Sequence, residues 1–283
     1  MNINSVLKYI EGWAPPQIAW QKDNVGLQAG SLNRSVDNLM LCLEVTDEVL
    51  SEAVKKKCSL IISHHPLLFS PLKKIDPDHD TTSRLTEQLL KNNQTLLSFH
   101  TNLDFTKDGV SFALAKKLGL INIRFLLNQK ENQSKLVVFV PENAVEKVSS
   151  ALFEAGAGEI GEYKKCSFKG NGIGTFQGSE FSNPVIGKKN SFETVEEIRL
   201  EVLVDDWNLA KTVSAIKTTH PYEEPAFDIY PLKNENLKYG FGALGSLVKP
   251  MSEKQFLAHV SKKLKTTLRF TEGKRKTVST VAV

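Results

Sequence analysis

Cysteine is scarce in this chain. Three occur in 283 residues, Cys42, Cys58 and Cys166, and none forms a CxxC pair. So odd and sparse a set argues against a disulfide scaffold and for reduced thiols in the cytosol. Cys42 and Cys58 lie in apolar runs and are expected in the core. No apolar run approaches the length of a membrane span, so no membrane partner is expected. The N-terminal MNINSVLKYIEGW has neither a basic n-region nor a long apolar segment, so a cytoplasmic protein without a signal peptide is expected. A large charge of either sign is also missing. A net charge of +4 neither requires nor excludes a nucleic-acid partner. What is present, 41% hydrophobic and 24% charged residues, is ordinary for a soluble globular protein. The length suggests about two domains.

The most informative stretch is Leu60 to Phe69, LIISHHPLLF. Leu60, Ile61 and Ile62 read as a strand buried in a parallel sheet. Pro66 cannot continue a central strand, and it holds His65 extended. Two imidazoles thus sit where a strand stops, the edge at which open α/β sheets bind ligands. Neighbours on an extended chain point to opposite sides, so two adjacent ions are better served than one. A second apolar run, Thr95 to Phe99, ends likewise in His100-Thr101-Asn102-Leu103-Asp104. In one parallel sheet, His64, His65 and Asp104 would share an edge. Imidazole with carboxylate suits zinc, iron or manganese. The plainer alternative makes the histidines polar turn residues and Asp104 a helix cap.

Other segments fall around these two. Ser5 to Gly12 has helical spacing. Asp23-Asn24 before Gly26 reads as a turn, or as a loop over the active edge. Val36 to Val45 has strand character. Thr46 is a good N-cap for a helix to about Lys57, which makes Val36 to Ile62 a βαβ unit. Helices are expected over 82–92 and 110–118. Asn128 to Ser134 is polar and reads as a linker. Beyond it, Val140, Lys147, Ser150 and Ala151 recur at a constant offset as Val204, Lys211, Ser214 and Ala215. Two strand–helix halves of this kind suggest a ferredoxin-like α+β domain. His220 with Glu223 or Glu224 has metal-ligand character, but a rigid Pro221/Pro225 loop with a hydrogen-bonded histidine explains the tract more simply. Ser252 to Leu264 reads as a helix. The basic C-terminal region, with a turn at Gly273-Lys274, needs only a solvated face. Val278 to Val283 reads as a strand.

Taken together, Asp23 to Leu27, Ser63 to Pro66, His100 to Asp104, His220 to Ala226 with Asp228-Ile229-Tyr230, and Gly240 to Leu247 resemble the NIF-three-like family. Bacterial members of that family carry the name GTP cyclohydrolase I type 2 homologue. The resemblance implies an α/β domain interrupted by a PII- or CutA-like ferredoxin-fold insert. The expected parts are residues 1–127, an insert at 128–236, and a return segment at 237–283. It implies a divalent-metal centre, two ions in the complete family form, with His64, His65 and Asp104 as ligands. His100 is then a candidate for the surrounding shell. It also implies homo-oligomers, usually hexameric rings. The family pattern continues past the Val278–Val283 strand with a His and a Glu that complete the centre. The expectation is therefore an incomplete centre that holds at most one ion tightly, and a C-terminal strand at a sheet edge. Glu44 stands where many members have Asp. The functional expectation is a two-metal hydrolase for a nucleotide or other phosphorylated or cyclic small molecule. A non-catalytic regulatory protein and a ring around nucleic acid are the alternatives.

Overall fold

The computed structural model describes residues 1–273 and 277–283, so the turn expected at Gly273-Lys274 lies partly outside the described residues. The elements in chain order begin with helix α1 (Ile3–Glu11), strands β1 (Gly26–Ala29) and β2 (Leu39–Cys42), helix α2 (Asp47–Lys55) and strand β3 (Leu60–Ser63). Helix α3 (Thr81–Lys91), strand β4 (Thr95–Ser98), the one-turn helix α4 (Thr101–Asp104), α5 (Val110–Lys117) and strand β5 (Ile121–Lys130) follow. Next come β6 (Gln133–Val140), α6 (Val145–Glu154), β7 (Ser167–Gln177), β8 (Phe192–Asp205), α7 (Leu209–Thr219) and β9 (Phe227–Leu232). The last are β10 (Glu235–Ser252), α8 (Glu253–Leu264) and β11 (Thr277–Ala282). The chain divides into two compact units, residues 1–127 with 239–283, and residues 128–238.

In the first unit a four-stranded sheet runs in the order β1-β4-β3-β2. Strands β2, β3 and β4 are parallel and in register, with Cys42 beside Ser63 and Ser63 beside Ser98. Their C-terminal ends therefore share one edge. Successive residues serve opposite faces. Ile61 and Leu96 pack with Leu50, Ala53, Leu85 and Leu89 of α2 and α3. Leu60 and Leu97 pack with Ile3 and Leu7 of α1 and with Phe99. Both β3 and β4 are covered on two sides, which is why they read as unbroken apolar runs. Each buried leucine or isoleucine contributes roughly 1.5–3 kcal/mol. Caps formed by local side chains set the helix starts. The Thr46 hydroxyl accepts from Val49 N–H, and Asp80 accepts from Ser83 N–H.

A second sheet in this unit has the order β11-β10-β5, with β11 at its edge. It is lined by Phe112, Leu118, Leu120, Phe125, Ala243 and Leu247, against which Phe256 and Val260 of α8 pack. Gly240 must be glycine there, because a Cβ would lie 2.6 Å from both Leu127 O and the Phe125 ring. Helix α8 starts with a reciprocal capping box between Ser252 and Gln255.

The second unit is β6-α6-β7-β8-α7-β9 with sheet order β7-β8-β6-β9, antiparallel throughout. That order and connectivity define a ferredoxin-like α+β fold. The sequence repeat marks its two strand–helix halves, and Leu136, Val138, Leu200 and Val202 meet Val148, Leu152 and Ile216 in one core. The polar stretch expected to be a linker, Asn128 to Ser134, holds the end of one strand and the start of another, and the two belong to different sheets. β5 runs through Lys130, Glu131 takes a positive φ (56°), and β6 starts at Gln133. Polar composition misled because Asn128 to Lys130, half-buried or exposed, still hold strand conformation at the end of β5.

Candidate metal centre

Strand ends build the site. Beyond β3, His64 N–H donates to Cys42 O (3.1 Å) and His65 N–H to Leu43 O (2.8 Å), so the ladder with β2 continues past both histidines. The Ser63 hydroxyl, buried, donates to His65 O (2.8 Å) and lies 2.7 Å from the Ser98 hydroxyl. Phe99 N–H donates to Ser63 O (3.0 Å). These bonds hold the two strand ends together, and His100 and α4 follow directly.

The rings of His64, His65 and His100 consequently face one another. Their centroids are 5.2 Å (His64–His65), 5.2 Å (His64–His100) and 5.7 Å (His65–His100) apart. One ring nitrogen from each lies within 4.8 Å of the others. Asp104 Oδ1 is 3.6 Å from His64 Nε2. Burial pushes the Asp104 carboxyl up from its ordinary value, and the neighbouring His64 and His100 partly offset that.

Two of the rings are already aimed. His64 Nδ1 lies 2.9 Å from Phe99 O, so it carries the proton and leaves Nε2 free for the cluster. His100 Nδ1 lies 3.0 Å from both oxygens of Asp23. The Asp23 side chain is only 2% exposed, and it also accepts from Thr101 N–H (3.1 Å) and the Thr101 hydroxyl. Burial alone would raise its pKa; the bonds from Thr101 and His100 outweigh it and hold the carboxyl below the usual range. A histidine that donates its outer N–H to a carboxylate or carbonyl is the arrangement that fixes tautomer and direction in metal ligands. His65 is exposed and its ring carries no such tie. Three imidazole nitrogens and a carboxylate match the donor chemistry of zinc and similar ions, so the residues present fit a divalent metal.

Sequence reasoning placed His100 outside the ligand set, whereas the structure gathers its ring nitrogen with those of His64 and His65. The partnership of Asp23 was visible only as a loop over the active edge. β1 runs antiparallel to β4 with Gly26 opposite Ser98, so the residues just before β1 arrive at the C-terminal end of β4.

His220 goes elsewhere, into the second unit. It is 8% exposed, with Nε2 donating to Phe139 O (2.9 Å) and Nδ1 accepting from Tyr222 N–H (3.0 Å). Acceptance at Nδ1 requires the neutral ring, and burial holds its pKa below the ordinary 6.5. The unfolded chain therefore takes up more protons than the folded one in that window. The stability of the second unit is expected to fall as pH drops below 6.5 and on toward the lower folded value. Urea midpoints measured down the pH scale check this. A decline of equal size in His220→Asn would assign the effect to other groups.

Comparisons with known proteins give the family. A family model described as Duf34/NIF3 (NGG1p interacting factor 3) matches residues 1–283. The chain belongs to the Duf34/NIF3 family. A Halalkalibacterium halodurans relative, a "GTP cyclohydrolase 1 type 2 homolog", is 40% identical over 92% of this chain and 70% of its own. One of the same name from Listeria monocytogenes is 38% identical over 97% of this chain and 74% of its own. The crystal structure of a Bacillus cereus protein related to NIF3 superposes with a TM-score of 0.84 at 38% identity, covering 100% of this chain and 76% of that one. Among the described residues no helix is long and apolar enough to cross a membrane.

Proposed function

We propose that this Duf34/NIF3 protein is a divalent-metal-dependent hydrolase of a phosphorylated or cyclic small molecule, nucleotides included. The observation that carries the reading is the pair of pre-aimed imidazoles, His64 tied to Phe99 O and His100 tied to Asp23, with His65 and Asp104 beside them. His64, His65 and Asp104 would hold the ion, with His100 as a further nitrogen donor. Bound there, a zinc, iron or manganese ion supplies Lewis acidity toward a substrate oxygen at neutral pH. Asp23 keeps His100 in the Nδ1–H tautomer. Exposed His65 lies on the solvent side, where a small molecule enters. The name shared by the relatives, "GTP cyclohydrolase 1 type 2 homolog", is compatible with a nucleotide substrate. Self-association into a ring, which the family resemblance implies, finds support in apolar side chains left in water, among them Phe168 (64% exposed), Phe181 (88%) and Phe192 (68%).

The test is turnover by the zinc- or manganese-loaded chain of p-nitrophenyl phosphate, a cyclic nucleotide and GTP. At least one is expected to be hydrolysed, and Asp104→Asn is expected to abolish the rate. A metal-loaded chain that turns over none of the three would favour the non-catalytic, metal-stabilised alternative. DNA binding that weakens steeply with salt would point instead to nucleic acid.

A further inference from the structure

The sequence around Trp20 is not used by the reading above, yet the structure holds this residue against the same short helix. Trp20 N–H donates to the Thr101 hydroxyl (3.0 Å), one residue beyond His100. Trp20 O accepts from Asp23 N–H (2.9 Å), which closes the turn that delivers Asp23 to His100. The indole packs on Phe105, the residue after Asp104, with centroids 5.6 Å apart and the planes tilted by 59°. Phe105 is itself buried and stacks edge-on against Phe241 at 4.6 Å. The backbone and one flank of Trp20 are therefore fixed, while the side chain remains open.

Its exposure is 63%. Tryptophan is among the more buried residue types on average, and a fixed indole left in water forgoes the stabilisation that burial brings. Phe105, buried beneath the indole and stacked on Phe241, closes the apolar layer there. A rigid, half-supported aromatic plane resting on Phe105, the residue after Asp104, has the form of a stacking surface. Planar heterocycles stack on such surfaces, and each base so stacked is worth about 1–3 kcal/mol.

Resting on the hydrolase reading for what happens at the histidines, we infer that Trp20 is the stacking platform for a planar heterocyclic part of the ligand. The reactive part of that ligand reaches the His64–His65–His100 cluster. The class of ligand is thereby narrowed to small molecules that join a purine-like ring to a polar or phosphorylated group. Trp20 sets specificity in this scheme and takes no part in the reaction.

The test is binding to the full chain, with and without zinc, of GMP and of ribose 5-phosphate, which lacks the base. Calorimetry gives affinities for the wild type, Trp20→Ala and Trp20→Phe. GMP is expected to bind the wild type, and Trp20→Ala to weaken it by about tenfold or more. Trp20→Phe should keep most of the affinity, while ribose 5-phosphate and zinc should bind all three proteins alike. Quenching of indole fluorescence by GMP, lost in Trp20→Ala, is the companion signal. Four results overturn the platform. They are no GMP binding to the wild type at ~1 mM, where the free energy is only about 4 kcal/mol; an unchanged affinity in Trp20→Ala; an equal loss for ribose 5-phosphate; and a change in sedimentation that makes Trp20 a contact between copies. Failure of the metal reading looks different: zinc would not bind the wild type, while discrimination of GMP from ribose 5-phosphate by Trp20 would persist.

Discussion

Zinc affinity is expected to fall by more than about 100-fold when His64 is replaced by alanine. The figure follows from the milder case, in which removing a hydrogen-bond partner behind a ligand costs roughly 10–100-fold. His64 is central to the cluster. Its ring is 5.2 Å from each of the other two rings, and its Nε2 is the nitrogen near Asp104. Zinc in catalytic sites normally has three protein ligands, so losing one nitrogen leaves too few for tight binding. Asp23→Asn retains every candidate donor but removes the charge behind His100, and it belongs at that milder level. Competition with a chromophoric chelator measures both. After dialysis, one tightly held equivalent per chain is expected from the cluster. Two equivalents would mean donors beyond His64, His65, His100 and Asp104. Equal affinities in wild type and His64→Ala would remove this histidine from the site.

Phe99→Ala is expected to destabilise the first unit by about 3–5 kcal/mol, the usual cost of deleting a buried phenylalanine. Phe99 is 2% exposed and packs among Ile3, Leu7, Leu60 and Leu97. The same residue supplies the carbonyl that orients His64. Collapse of the cavity would move that carbonyl, so the folded variant should also bind zinc more weakly. Leu89→Ala provides the contrast. Leu89 is fully buried on the opposite face of the sheet, among Leu50, Ala53 and Leu85. It should cost about 2–5 kcal/mol and leave the zinc affinity of folded molecules unchanged. Denaturant unfolding with parallel zinc titration separates the two. Identical zinc affinity in both variants would show that the strand end tolerates the loss of Phe99.

The βαβ unit through β2, α2 and β3 was readable because its signals are local. Apolar runs of strand length, the Thr46 cap and the break at Pro66 are set by neighbours in sequence. The same holds for the helix expected over Ser252 to Leu264 and found at Glu253–Leu264. Strand β2 was read too long, from Val36 to Val45. Its backbone bonds to the neighbouring strand run only from Asn38 to Leu43, and β2 lies at the sheet edge with Leu41 70% exposed. Val36 and Val45 beyond the strand ends pack into the apolar clusters, so their hydrophobicity serves packing and not pairing. The end of β5 at Asn128 to Lys130 was hidden for the related reason that partly solvent-facing strands need no apolar pattern.

The sequence by itself determined that imidazoles and a carboxylate stand at the ends of two parallel strands. Parallel strands of matched length bring those ends to one edge, so His64, His65 and Asp104 needed only the βα rhythm to be placed there. The tertiary structure alone decided that Asp23 orients His100, a bond across 77 positions of chain. It also decided that Trp20 rests on Phe105. The physical reason is register. β1 enters antiparallel beside β4, and that pairing is chosen by burial across the whole sheet, which no window of local sequence contains.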